Sequence, residues 1–179
     1  MRLLREVLQT VALALVIYAA IQLTVQTNKV YGSSMEPGLH QGQYVLVNKL
    51  VYLKLGDRYV FSPPKRGDVV ILRPSGSEKL LIKRVIGLPG DTVEISKGLV
   101  HINGKALSEP YIQEPPIYPL PPTVIPPGSY FVQGDNRNHS LDSAQGLGTV
   151  PAENIVGRAW FSFWPPSHLG QVPNFAHAW

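Results

Sequence analysis

The sequence predicts a mainly β domain carried behind a single N-terminal membrane-spanning helix. Three observations lead there. Residues 7–26, VLQTVALALVIYAAIQLTVQ, carry no charge and are mostly apolar. From Gln43 onward the chain breaks into short runs of β-branched and aromatic residues separated by Gly, Pro, Asn and Asp, the pattern of strands and turns. The sequence after the apolar run offers neither a convincing amphipathic helix nor a glycine-rich phosphate loop leading into a helix.

The apolar run comes first. As a helix, about 20 residues rise roughly 30 Å, the thickness of a bilayer's hydrocarbon core. Arg2 and Arg5 precede it, with Glu6 beside them, and Lys29 follows. The positive-inside bias therefore favours a cytoplasmic N-terminus and an exported remainder. A cleaved secretory signal needs a shorter apolar core and a small-x-small exit. The following stretch, AIQLTVQTNKVYG, has no such exit. The expected organisation is residues 1–28 as cytoplasmic N-terminus and anchor, then residues 29–179 as one extracytoplasmic β-rich domain of ordinary size.

Seven segments of the body read as strands: QYVLVNKL, DVVILR, KLLIKRVIG, TVEI, LVHI, SYFVQG and IVGRAWFSF. Asn103-Gly104, just after LVHI, is the strongest two-residue hairpin signal. Arg66-Gly67-Asp68 reads as a turn into a strand, and Gly134-Asp135-Asn136 as another turn. Residues 114–127, EPPIYPLPPTVIPP, are expected to run extended, as polyproline II or an irregular surface connection. Seventeen prolines and sixteen glycines suit a chain of many turns. The net charge of +4 is scattered rather than clustered, which argues for solvated surface and against a nucleic-acid partner. With no cysteine, disulfides, thiol catalysis and cysteine-ligated metals are excluded.

Chemistry must then come from other side chains. The histidines, His40, His101, His139, His168 and His177, show no metal-ligand spacing and no HExxH. His139, Ser140 and Asp142 lie close in sequence, but neighbours on an extended segment point different ways, so they make a poor triad. Lys83 is more informative. In Leu81-Ile82-Lys83-Arg84-Val85, alternation places Leu81, Lys83 and Val85 on one face and Ile82 and Arg84 on the other. Two readings stay open. A lysine there lays its stem along apolar neighbours with its amine in water, the better reading of the strand taken alone. Otherwise it is buried and neutral, which from a pKa of about 10.4 costs roughly 4.6 kcal/mol at pH 7 and lies within reach of burial. A neutral amine is a competent base for a serine hydroxyl. Ser34, in GSSMEP just beyond the apolar run, is the matching candidate.

These residues resemble bacterial type I signal peptidases, the membrane-anchored Ser/Lys leader peptidases. The likeness spans nearly the whole chain in order: an anchor, GSSMEPGLHQGQYVLVNK, RGDVVIL, KRVIGLPGD, YFVQGDNRNHSLDS and IVGRAWFSF. SMxP alone is weak, whereas KRVIGLPGD together with GDNRNHSLDS is specific. The resemblance implies a signal-peptidase-type coiled β-sheet or barrel catalytic domain. It makes Ser34 the nucleophile and Lys83 the general base, with Ser140 hydrogen-bonding and orienting the lysine. Asp142 is implied to organise the site, with Arg84 nearby. Met35, Ile82, Val30, Leu39, Val45 and Ile71 match pocket positions for small side chains before the scissile bond. The implied substrates are secreted preproteins cut after Ala-X-Ala. The implied place is the bacterial cytoplasmic membrane, against the lipid bilayer and near the export translocon. No metal or cofactor is implied.

This chain departs from the family pattern at three residues. Gly38 stands where threonine usually follows SMxP, and Gly32 where some members carry a hydroxyl that helps bind the oxyanion. Ala144 replaces the usual arginine after DS in a stretch one residue longer, leaving Arg84 as the expected ionic partner of Asp142. Self-cleaving SOS-repressor peptidases share Ser/Lys and an SM dipeptide, but carry a helix-turn-helix N-terminus and a shorter equivalent of KRVIGLPGD. An anchored module that only binds exported peptides is the alternative outside enzymes, and Gly38 and Ala144 are the features that favour it.

Overall fold

The computed structural model describes residues 2–175, so His177 lies outside the described residues. Helix α1 (Arg2–Thr24) leads directly into strand β1 (Val25–Lys29). The body follows with β2 (Tyr44–Asn48), the small pair β3 (Lys54–Leu55) and β4 (Arg58–Tyr59), β5 (Val69–Leu72) and β6 (Leu81–Gly87). Next come β7 (Thr92–Ser96), β8 (Leu99–Ile102), β9 (Lys105–Ala106), β10 (Leu120–Val124) and β11 (Ser129–Gln133). The last are β12 (Val150–Pro151), β13 (Ile155–Trp164) and β14 (Gly170–Gln171). All seven expected strand segments are present, and the fold is mainly β as read.

The main sheet has the antiparallel order β1-β2-β13-β5-β6-β11-β12, with β14 beside β13. A second sheet has the order β10-β7-β8-β9. Asn103 and Gly104 both take positive φ, 52° and 79°, at the β8–β9 hairpin, as an Asn-Gly turn requires. Gly67 likewise turns at φ 90° ahead of β5.

Two boundaries differ from the sequence reading. Residues 25–28, assigned above to the anchor, belong to β1, whose five residues pair with β2. Their alternation of Val, Gln, Thr and Asn fits a strand as well as the tail of an apolar helix. Part of the proline-rich segment is also strand: Leu120, Thr123 and Val124 pair with β7, with the register slipping across Pro121 and Pro122. Prolines lack the ladder donor, and β10 is an edge strand, where that loss is tolerated.

Residues Arg2–Gln22 of α1 are long and apolar enough to cross a membrane, and none of the apolar window is buried against the protein. Three clusters form the core of the body. One of them gathers Val30, Met35, Leu39, Val45, Ile71 and Ile82, and it lies directly behind the candidate site.

Candidate active site

Ser34 sits in the loop after β1, and Lys83 on β6. Three strands separate β1 from β6 in the sheet, yet residues of both line one cleft. The right-handed twist of strands, accumulated across the sheet, curls it until these two regions meet.

At that meeting Lys83 Nζ donates to Ser34 Oγ at 2.7 Å and to the carbonyl of Ile82 at 3.0 Å. Lys83 is 3% exposed. The solvated-amine reading is therefore overturned: the whole side chain, not just its stem, is withdrawn from water. Burial pulls its pKa down from 10.5 to about 8, opposed by the negative charges of Asp142 and Asp135. One unit above neutrality leaves roughly 1 kcal/mol to deprotonate the amine at pH 7. That is far less than a solvated lysine requires.

The serine is held by its backbone. Asn136 N–H donates to the Ser34 carbonyl at 3.1 Å, and Asn136 Nδ2 to the Ser33 carbonyl at 3.3 Å. Leu39 N–H closes the loop onto the Met35 carbonyl at 2.8 Å. Gly134 makes this docking possible. A Cβ there would stand 2.3 Å from the Ser34 carbonyl and 2.4 Å from Ser140 Oγ, so only glycine admits the approach. The Gly-Asp-Asn turn, read above as structural, is thus the seat of the serine loop.

Two implied interactions are not formed. Ser140 is buried beside this turn, but among the described residues its hydroxyl has no hydrogen-bond partner, and it does not bond Lys83. It stands near enough to Asp142 to favour that carboxylate's charged form without reaching ordinary hydrogen-bond geometry. Arg84 does not serve Asp142. It forks onto Asp135, Nε to Oδ1 at 2.8 Å and Nη2 to Oδ2 at 2.7 Å, with both side chains almost wholly buried. Asp142 is held instead by the N–H groups of Gly134 and Ala144, each at 3.1 Å. Burial pushes its carboxyl above the usual range, and those hydrogen bonds oppose the rise. The physical reason is reach: Asp135 stands on the turn facing β6, so the arginine's planar fork meets it first. Sequence reasoning missed Asp135. The available signal was an arginine within an apolar strand, which demands a counter-charge.

The cleft holds about 690 Å³ and is lined by residues 27–31, Ser34, Met35 and residues 78–83. Of the six expected pocket residues, Val30, Met35 and Ile82 line it. Leu39, Val45 and Ile71 pack in the same core cluster but not on its lining. Sequence reasoning did not single out Tyr31, Glu78, Lys79 or Leu80, which also line the cleft. Both walls offer strand edges. Among the described residues β1 ends the sheet, and residues 81–83 of β6 pair only with β5, because β11 begins pairing at Arg84. His139 is turned to Asn136 Oδ1 at 3.3 Å. Among the described residues, no group of three or more His, Cys, Asp or Glu is placed to hold a metal.

The chain's sequence matches the family "Signal peptidase, peptidase S26" over residues 3–164. It is 40% identical over 178 residues to the signal peptidase I of Leptolyngbya laminosa, covering 94% of this chain and 84% of that one. It is 39% identical over 173 residues to the signal peptidase I of Bacillus licheniformis, covering 90% and 87%. A signal peptidase I of Enterococcus faecalis V583, known from its crystal structure, is 32% identical with a TM-score of 0.49, over 54% of this chain and 97% of its own. The family match and the two curated relatives define the class of protein, a hydrolytic enzyme, a peptidase. The chain belongs to the signal peptidase family, peptidase S26.

Proposed function

We propose that this chain is a membrane-anchored serine endopeptidase that removes N-terminal signal peptides from exported preproteins, using Ser34 and Lys83 as its dyad. The observation that carries the reading is the 2.7 Å contact between Ser34 Oγ and a lysine amine kept out of water. An extended substrate strand lies in the cleft between the free edges of β1 and residues 81–83, using backbone pairing for affinity. Val30, Met35 and Ile82 present apolar walls, which suit alanine-sized side chains before the scissile bond.

Neutral Lys83 takes the proton of Ser34 as Oγ attacks the carbonyl. The tetrahedral intermediate collapses, the C–N bond breaks, and protonated Lys83 gives its proton to the leaving amine. The neutral amine then activates water, which releases the acyl group and restores the serine. Ser34 N–H donates to no group among the described residues, which leaves it for the oxyanion. Gly32 supplies no hydroxyl there and turns at φ 75°, and one missing donor is worth roughly 3–4 kcal/mol.

The apolar helix supports a membrane location. With α1 in the bacterial cytoplasmic membrane and its N-terminus inside, the cleft opens on the outer face beside the export translocon. Phe61, Trp160 and Trp164 are exposed and suit the headgroup zone. Sharing one surface with the signal peptide raises the effective concentration of substrate.

The test is a fluorogenic peptide ending in Ala-X-Ala before the cut, offered to the full chain in detergent micelles. Cleavage by the native chain and none by Ser34→Ala or Lys83→Ala is the expected result. Tight binding without cleavage by the native chain would make it a peptide-binding module instead.

A further inference from the structure

A buried cluster lies beyond the dyad, on the far side of the turn that seats the serine loop. Leaving β9, the chain passes through Glu109 and Tyr111. The Glu109 carboxylate receives both terminal nitrogens of Arg137, with Nη1 at 2.8 Å from Oε2. These side chains are 5% and 0% exposed. Tyr111 hydroxyl donates to Glu109 Oε1 at 2.8 Å. Arg137 Nε donates in turn to the Gly134 carbonyl at 3.1 Å.

The same tyrosine faces the other arginine. The Arg84 guanidinium lies 4.3 Å from the Tyr111 ring centroid, and that of Arg137 5.9 Å away. The turn is thus gripped twice: Arg137 holds the Gly134 carbonyl, and Arg84 holds the Asp135 carboxylate. Its third residue, Asn136, is the one whose N–H holds Ser34. A contiguous path of contacts runs from Glu109 and Tyr111 to the nucleophile's own backbone.

We infer that Glu109 and Tyr111 are positioning residues for the Ser34–Lys83 pair, acting through Arg137 and Arg84 on the turn of residues 134–136. Neither touches the cleft. Removing the Glu109 charge leaves a buried guanidinium unpaired, and such a group moves to find a partner or water. Gly134 tolerates little such movement, because the space beside it is so close that even a Cβ there would stand 2.3 Å from the Ser34 carbonyl and 2.4 Å from Ser140 Oγ.

The inference rests on the peptidase reading for its kinetic arm alone, so two arms test it. Glu109→Gln, Tyr111→Leu and Tyr111→Phe are made in the full chain in detergent. Rates are taken per folded enzyme. Glu109→Gln and Tyr111→Leu are expected to lower kcat about 100-fold, the cost of a misplacement near 1 Å, with KM changed by no more than about twofold. Tyr111→Phe, which keeps the ring over Arg84, recovers most of that loss. In the second arm, amide hydrogen exchange at Asn136 quickens in both damaging variants. Exchange at Val85, whose N–H donates to the Asp68 carbonyl elsewhere on β6, stays as in the native chain. Native kcat in the folded Glu109→Gln and Tyr111→Leu variants, or exchange that quickens equally at Asn136 and Val85, would overturn the inference. If the native chain cleaves nothing, the functional reading falls, and selective loss of protection at Asn136 still decides for or against the clamp.

Discussion

Lys83 and Arg84 are neighbours on β6, and both are withdrawn from water, at 3% and 1% exposure. Their surroundings differ in kind. Arg84 meets a carboxylate with two nitrogens, the carbonyls of Gly67 and Pro173 at 2.8 Å each, and the ring of Tyr111. Lys83 meets one hydroxyl and one carbonyl, and no carboxylate lies in ion-pair contact with it among the described residues. Burial disfavours charge at both. At Arg84 four hydrogen bonds, two of them to a carboxylate, hold the cation in place. At Lys83 the deficit of acceptors lets burial prevail, and the amine approaches neutrality. Of two adjacent buried basic side chains, one is a strut and the other is fit for the base proposed above, and counter-charge makes the difference.

The sharpest way to break this contrast is to place the same apolar residue at both positions. Lys83→Met is expected to lower kcat/KM by about 10,000-fold or more, the usual cost of losing one member of a catalytic set. Its midpoint in urea should hold or rise, because a costly buried amine has gone. Arg84→Met should do the reverse to stability. It strands Asp135 without a partner, a loss of roughly 3–5 kcal/mol readable in the same urea titration. Should both variants lose stability alike, the two sites do not differ as described.

Smaller changes sharpen the comparison. At Gly38 an added Cβ would lie 2.7 Å from Asp135 Oδ2, inside the ion pair's own volume. Gly38→Ala should therefore cost about 1–3 kcal/mol of stability as an overpacked site, measured by thermal melting. The smallest effect concerns the base. With Lys83 as the proposed base, the active form is the unprotonated amine, so kcat/KM should be low below its pKa and level off above it. Asp142 holds that pKa up through its negative charge. Asp142→Asn should shift the acid limb to lower pH by a fraction of a unit, seen in the kcat/KM profile.

Much of the fold was legible because period-2 runs and turn residues are local signals. VVIL, LIKRVIG and IVGRAWFSF became β5, β6 and β13, and Asn103-Gly104 turned as its residues dictate. The membrane-length helix was legible from the absence of charge, but its end was not, since Val25–Lys29 suits either state until a partner strand is supplied. The serine and the lysine could be picked by residue type and motif. Which carboxylate takes Arg84 could not. Asp135 and Asp142 are seven residues apart on one loop, and only the tertiary placement of the turn decides between them. The Glu109–Arg137 pair spans 28 residues, with no pattern in either segment to announce the other.

The central claim is that the Lys83 amine is kept close to neutrality by burial, and the side chain itself can be asked. An NMR pH titration of isotope-labelled lysines in the full chain, with the Lys83 signal assigned by its loss in Lys83→Met, measures this directly. A midpoint near 8 is predicted. A midpoint at the ordinary value near 10.5 would mean that the amine remains a cation at neutral pH, and the contrast between the two neighbours would fail.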